Sequence, residues 1–122
     1  MTLLLVLLGG AIGAPARYLT DLYVQSRHDS AWPWGTFTVN AAGSLILGVT
    51  AGAAHAGAPG WVLTLIGTGF CGALTTFSTF SFETLRLIET GATGKAAANV
   101  FGSVGVGLAA CAAGWAVTTA LY

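Results

Sequence analysis

An asparagine inside a long apolar run is the first residue of this sequence that could do chemistry. Asn40 lies in the stretch 30–54, which contains no charged residue and no histidine. Its amide offers two donors and one acceptor, and burial without partners is unfavourable for such a group. It therefore forms a hydrogen bond between helices, or it faces a pore as a donor. The interrupted segment described next favours the pore.

The segment 67–83 combines glycine, hydroxyl and phenylalanine residues inside another uncharged run, GTGFCGALTTFSTFSFE. We interpret it as a membrane helix with a break near 72–75, which lipid tolerates only where protein or a water-filled path covers it. Carbonyl groups that end the first half-helix near Gly72 suit a small cation. Thr75 or Thr76 would cap the second half-helix, whose positive N-terminal end favours an anion.

Two phenylalanines share one face of the second half-helix, because Phe77 and Phe80 are spaced i, i+3. Such a pair usually packs in a core, but an aromatic ring also has a positive edge that can face an anion. Ser78, Thr79 and Ser81 supply hydroxyl donors nearby. We therefore predict a pore wall here.

Further polar residues are candidates for a vestibule or for structural hydrogen bonds. Arg17 either extends to the membrane interface or lines a vestibule that concentrates anions. Glu83 is expected to cap a helix or to pair with an arginine. Asn99 and Ser103 are spaced i, i+4 and extend a polar track along the last helix.

The composition identifies the element that must position these residues as a membrane helix. The 122 residues are 55% hydrophobic and only 7% charged, which is too little charge for the surface of a soluble domain. The balanced net charge gives no reason to expect nucleic acid as a partner. We predict an all-α protein with a single transmembrane domain, residues 1–122, because the uncharged runs match the roughly 20 residues of a membrane span. The four predicted helices cover about 2–24, 34–54, 61–88 with the break at 72–75, and 95–120.

Small residues four apart indicate closely packed helices. The pairs are Gly9 with Gly13, Ser44 with Gly48, and Ala98 with Gly102, and Gly105 and Gly107 add to the last helix. So many notches predict an oligomer. The sequence offers no nucleophile with a base and no metal-ligand spacing, so we do not expect an enzyme.

Three motifs in order resemble the Fluc family of fluoride channels: Gly9-Gly10-x-x-Gly13-Ala14-x-x-Arg17-Tyr18, Gly35-Thr36-x-x-Val39-Asn40-x-x-Gly43-Ser44, and Gly69-Phe70-Cys71-Gly72-x-x-Thr75-Thr76-Phe77-Ser78-Thr79-Phe80-Ser81-x-Glu83. The resemblance implies an antiparallel, dual-topology homodimer with two fluoride pores. It implies a structural sodium ion (Na+) at the dimer centre, held by backbone carbonyls of Gly72 and Thr75. It also implies that Phe77, Phe80 and Asn40 line the pore.

On the last helix, the resemblance places Ser103 in the family's polar track. Asn99 stands where a tyrosine can occur, and Gly107 stands where a hydroxyl residue can occur, so the outer track departs from the family pattern. The family implies passive fluoride export across the plasma membrane, which lowers cytoplasmic fluoride. The expected partners are fluoride, sodium, membrane lipid and a second copy of the chain.

Two other functions remain as alternatives. A small multidrug-type exporter also has four helices, but its proton-coupled exchange needs a carboxylate embedded in helix 1, where only Asp21 is present, close to the helix end. A scaffold subunit without transport activity would explain the glycine-rich helices. It would not explain the placement of Asn40 and the hydroxyl-rich break in the bilayer.

Overall fold

A computed structural model of the chain describes residues 2–27 and 32–121. In these ranges every regular element is a helix, and four segments are long and apolar enough to span a membrane. These are Thr2–Ser26, Trp34–His55, Gly60–Glu89 and Thr93–Leu121, with mean hydropathy between 1.4 and 1.8. The prediction of an all-helical protein with four candidate membrane spans is confirmed.

The first two spans are α1 (Thr2–Ser26) and α2 (Trp34–His55), and the last is α6 (Thr93–Leu121). The third span is composite. It begins with α3 (Gly60–Val62) and continues as π1, a π-helix over Leu63–Cys71, then as α4 (Gly72–Leu74) and, after three residues, as α5 (Ser78–Glu89). The turns before and after this span each contain a glycine with positive φ, Gly57 at 113° and Gly91 at 85°.

Residues 75–77 have no helical assignment, and Thr75 is extended, with φ −80° and ψ 160°. The preceding helix ends at Thr75, whose N–H and hydroxyl both donate to the Cys71 carbonyl, at 2.9 and 2.8 Å. Extended geometry at one residue redirects the chain. The backbone groups of this short segment must therefore find partners outside a helix.

Glycines bring α2 and α6 together in parallel. A methyl group added at Gly48 would overlap the Cys111 carbonyl oxygen, and one added at Gly114 would lie 2.7 Å from the Val49 nitrogen. At the same interface Gly107 faces the Ser44 hydroxyl. The predicted close approach at Gly48 is therefore confirmed, and it places α2 and α6 side by side.

A second glycine contact joins α1 to π1. A methyl group at Gly9 would overlap the Leu65 carbonyl oxygen, and one at Gly13 would overlap the Phe70 carbonyl oxygen. The glycines of α6 at 102 and 105 differ, because no atom of the described residues lies within 4 Å of a methyl group built there. That face of α6 points away from the other described helices.

Candidate functional site

A groove of about 380 Å³ lies where α2, the nonhelical segment, α5 and α6 meet. Half of the predicted site residues line it: Asn40, Gly72, Thr75, Phe77, Phe80 and Ser103. These residues come from three different spans. A second groove of about 370 Å³ shares Ser44 and Ser103 with the first and continues along α6 toward Cys111.

Asn40 forms two hydrogen bonds to the backbone of one residue in the nonhelical segment. Its Oδ1 accepts the Thr76 N–H at 2.8 Å, and its Nδ2 donates to the Thr76 carbonyl at 3.1 Å. The carboxamide thus pairs with Thr76 as a neighbouring β-strand would. The sequence suggested two alternatives for Asn40, a hydrogen bond between helices or a donor to a pore. The bonds to Thr76 use only one of the two amide N–H groups, so the second N–H is left as a donor and the two roles are compatible.

The backbone around Thr76 shows which threonine caps α5. The Thr76 hydroxyl accepts the Thr79 N–H at 3.2 Å, whereas the Thr75 hydroxyl donates backward to Cys71. Since Phe77 occupies the N-cap position and makes no side-chain cap bond, Thr76 supplies this contact from one residue earlier. Of the two predicted capping residues, Thr76 is therefore the one that caps the helix.

The diverted N–H groups also leave two carbonyls without their helical partners. In an α-helix the Gly72 carbonyl would accept the Thr76 N–H, and the Thr75 carbonyl would accept the Thr79 N–H. Here Thr76 donates to Asn40, and Thr79 donates to the Thr76 hydroxyl. The two carbonyls predicted to hold a cation are thus released from the helical pattern.

Phe77 and Phe80 lie together along the groove, with ring centroids 6.0 Å apart and planes tilted by 42°. Phe77 is 79% exposed, although it begins the turn that leads into α5. A ring with this exposure contacts Phe80 but buries little of its surface within the chain. Its face and edge are open to the groove and to the molecule's outer surface.

Three predicted hydroxyl residues lie outside the groove. Ser78, Thr79 and Ser81 are exposed on α5, and the Ser78 hydroxyl lies 3.4 Å from that of Thr76. Ser78 and Thr79 lie in the first turn of α5, where the helical rotation that brings Phe77 and Phe80 to the groove turns their hydroxyls away from it. Ser81 is exposed one turn after Phe77. The structure does not bring them together with Asn40.

Sequence reasoning did not identify Thr84, which connects α5 to α6. The Thr84 hydroxyl donates to the Phe80 carbonyl at 2.8 Å and accepts Nδ2–H of Asn99 at 2.8 Å. Ser103 donates in turn to Oδ1 of Asn99 at 3.3 Å. Thr84 is four residues after Phe80 and eight after Thr76, and this helical spacing is the signal in the sequence that could have placed it on the same side of the third span. Asn99 is 1% exposed and lies behind the groove, while Ser103 lines it.

Arg17 and Glu83 do not line the groove. Arg17 is half-buried on α1. Glu83 lies in the second turn of α5, so it caps neither end of that helix. Its neighbours are the Thr36 hydroxyl and the Asp21 carboxylate. Among the described residues, its buried Oε1 has no hydrogen-bond partner.

These features define an all-helical protein with four candidate membrane spans and an amide- and hydroxyl-lined groove beside an exposed pair of phenylalanines. Residues 4–115 match the family described as "CrcB-like protein, Camphor Resistance (CrcB)", and the chain belongs to that family.

Curated relatives match the chain along its length. "Fluoride-specific ion channel FluC 1" of Frankia casuarinae is 59% identical over 128 residues, covering 100% of this chain and 99% of the relative. The protein of the same name from Streptomyces avermitilis is 56% identical over 123 residues, covering 100% and 99%. "Fluoride-specific ion channel FluC" of Bordetella petrii is 44% identical over 110 residues, covering 85% and 84%.

Proposed function

We propose that this protein is a fluoride-selective ion channel that lets fluoride leave the cytoplasm passively. The observation that supports this most directly is the convergence of Asn40, Phe77, Phe80 and Ser103 on one groove, in a chain whose relatives are named fluoride-specific ion channels. The protein is a multi-pass protein of the plasma membrane. Its role is to lower cytoplasmic fluoride and so to give resistance to that ion.

The chemistry of the groove suits a small, strongly hydrated anion. Fluoride must exchange water for close hydrogen bonds, and the candidates are the second N–H of Asn40 and the hydroxyl of Ser103. The edges of Phe77 and Phe80 present positive partial charge. A narrow path between these groups accepts fluoride and excludes the larger chloride ion.

Transport is passive, and the protein is not an enzyme. The carboxylate that a small multidrug-type exporter requires would be that of Asp21. Asp21 lies near the end of α1, where its side chain contacts Gly35 in the first turn of α2. That position does not suit proton-coupled exchange in mid-membrane. Full-length relatives named ion channels also argue against a scaffold without transport activity.

The third span is, in this proposal, a membrane helix broken at Thr75–Phe77, and the working unit is an antiparallel homodimer with two pores. One protomer leaves Phe77 largely exposed and the notches at Gly102 and Gly105 open, which fits a groove that a second copy closes. Single-molecule counting of labelled subunits in liposomes tests this. A population of transporting monomers would exclude it.

A sodium ion at the dimer centre is a further part of the proposal. Sodium prefers oxygen ligands, and the carbonyls of Gly72 and Thr75 are the ones released from their helical partners. Gly72 is exposed, with open space around its Cα, so a cation and a second protomer can approach. The ion would join the two breaks electrostatically. Fluoride flux and dimer stability that are indifferent to replacement of sodium by a large organic cation would exclude it.

Reconstituted protein tests the function directly. Liposomes loaded with potassium fluoride and purified protein should release fluoride to a fluoride electrode when valinomycin balances the charge. Matched liposomes loaded with potassium chloride should release none to a chloride electrode. Equal release of both halides, or release of neither, contradicts the proposal. Addition of a quaternary ammonium substrate with a proton gradient tests the exporter in the same preparation.

A further inference from the structure

We propose that Ser103, Asn99 and Thr84 form a reversible hydrogen-bond relay that makes the Ser103 hydroxyl a donor to an anion in the groove. The relay rests on the proposed function only in that the anion is fluoride. Thr84 and Asn99 are positioning residues in it, since neither lines the groove.

The observed direction of the relay follows from the Phe80 carbonyl. A carbonyl only accepts, so the Thr84 hydroxyl directs its proton to Phe80 and must accept from Asn99. Asn99 therefore presents its Nδ2 to Thr84 and its Oδ1 to Ser103. The single hydroxyl proton of Ser103 then points to Asn99, away from the groove.

An anion in the groove needs that proton, and burial makes its withdrawal from Asn99 unfavourable. Asn99 is 1% exposed, so an Oδ1 that lost the Ser103 proton would find no water. A buried acceptor without a partner is strongly unfavourable. If nothing else moved, the Ser103 hydroxyl would continue to donate to Oδ1 of Asn99.

A half-turn of the Asn99 carboxamide removes this difficulty. Thr84 then donates to Oδ1, and Nδ2 donates to the Ser103 oxygen, which frees the Ser103 proton for the anion. The Phe80 carbonyl gives up the Thr84 hydroxyl but keeps the Thr84 backbone N–H of its own helix. Every buried polar group therefore has a partner in both directions of the relay.

The longest contact of the relay is the one whose proton the anion must take. The Ser103–Asn99 distance is 3.3 Å, whereas both bonds of Thr84 are 2.8 Å. Hydroxyl hydrogen bonds are usually about 2.5–3.0 Å long, so the bond from Ser103 to Asn99 is weak. An anion accepts a stronger hydrogen bond, so the Ser103 hydroxyl can donate to the anion in place of Asn99.

Thr84→Val separates this relay from simple packing, because it removes the hydroxyl and keeps the shape. Fluoride efflux from liposomes should fall about tenfold, because in both directions of the relay Asn99 loses the partner that holds its carboxamide against Ser103. Thr84→Ser restores the hydroxyl and should transport as the parent does. Thr50→Val is the matched control, because Thr50 is 5% exposed and its hydroxyl donates only along its own helix, to Ile46.

A double-mutant cycle with Ser103→Ala completes the test. If Thr84 acts through Ser103, Thr84→Val should add no further loss to Ser103→Ala. Full efflux in Thr84→Val overturns the relay, and so do losses that multiply in the double variant. Should Thr84→Val fail to assemble, Thr84→Ala removes the hydroxyl without adding a methyl group and is held to the same outcomes. Absence of fluoride efflux from the parent protein overturns the channel function instead.

Discussion

Replacing Asn40 with leucine removes the only side chain that pairs with the Thr76 backbone in the described residues. Thr76 is 9% exposed, so its N–H would lose its partner in a place that water reaches poorly. A buried donor left unpaired costs about 1–3 kcal/mol. The Thr76 carbonyl has two lone pairs, and Thr76 lines the groove, so the loss of the bond to this carbonyl is the smaller contribution. We expect the thermal midpoint of the purified protein to fall and fluoride efflux to be nearly abolished.

Asn40→Asp separates the two roles of the amide. The carboxylate still accepts the Thr76 N–H, but it turns an oxygen toward the Thr76 carbonyl and puts a negative charge beside the anion path. We expect it to retain more stability than leucine while losing fluoride efflux as completely. Thermal unfolding by circular dichroism in detergent and efflux at a fluoride electrode measure the two effects on one preparation.

Thr38→Val is the control for this pair, because the Thr38 hydroxyl donates within its own helix, to the Trp34 carbonyl at 2.7 Å. It should change neither the thermal midpoint nor the efflux by much. The reasoning is refuted if Asn40→Leu unfolds and transports as the parent does. Parent-like efflux in Asn40→Asp would remove the amide N–H from the anion path.

Two further pairs of substitutions test the contact between α2 and α6 and the cap of α5. Gly48→Ala should destabilise the fold by about 1–3 kcal/mol, because its methyl group overlaps the Cys111 carbonyl. The methyl group of Gly102→Ala meets no neighbouring helix among the described residues, so this variant should unfold as the parent does. Equal midpoints for the two variants would contradict the glycine contact. Thr76→Val should cost about 1 kcal/mol through loss of the bond to the Thr79 N–H, with Thr76→Ser near the parent in a thermal melt; a valine variant as stable as serine would show that the hydroxyl does not cap α5.

The elements of this fold were accessible from the sequence, because apolar runs free of charge identify membrane spans by length alone. Gly9 and Gly48 were also readable as close contacts, since small residues four apart indicate where helices meet. The π-helix over Leu63–Cys71 was not readable. Its wider turns lie against the backbone of α1 at Gly9 and Gly13. The spacing of these glycines indicates a close contact, but it does not specify the hydrogen-bond pattern of the helix that makes the contact.

Part of the groove was also predictable from the sequence. Asn40, Phe77 and Phe80 were identified by type within apolar surroundings, and all three line it. The partner of Asn40 is a backbone residue 36 positions away, which no spacing rule specifies. Thr84 was missed because a threonine four residues after a helical carbonyl usually bonds only to that carbonyl. Its second bond depends on the position of α6 beside α5.

One asparagine links the two properties that the site requires. By taking the Thr76 N–H, Asn40 removes the helical partner of the Gly72 carbonyl, which is an acceptor for the sodium ion proposed above. By taking the Thr76 carbonyl with one N–H, it fixes its second N–H relative to the groove. The same pairing leaves the Thr76 hydroxyl in place to accept the Thr79 N–H, which starts α5 and sets the direction of Phe80. A change at Asn40 should therefore disturb the cation position, the anion donor and the phenylalanine wall together, whereas a change at Thr84 should disturb only the donor on α6.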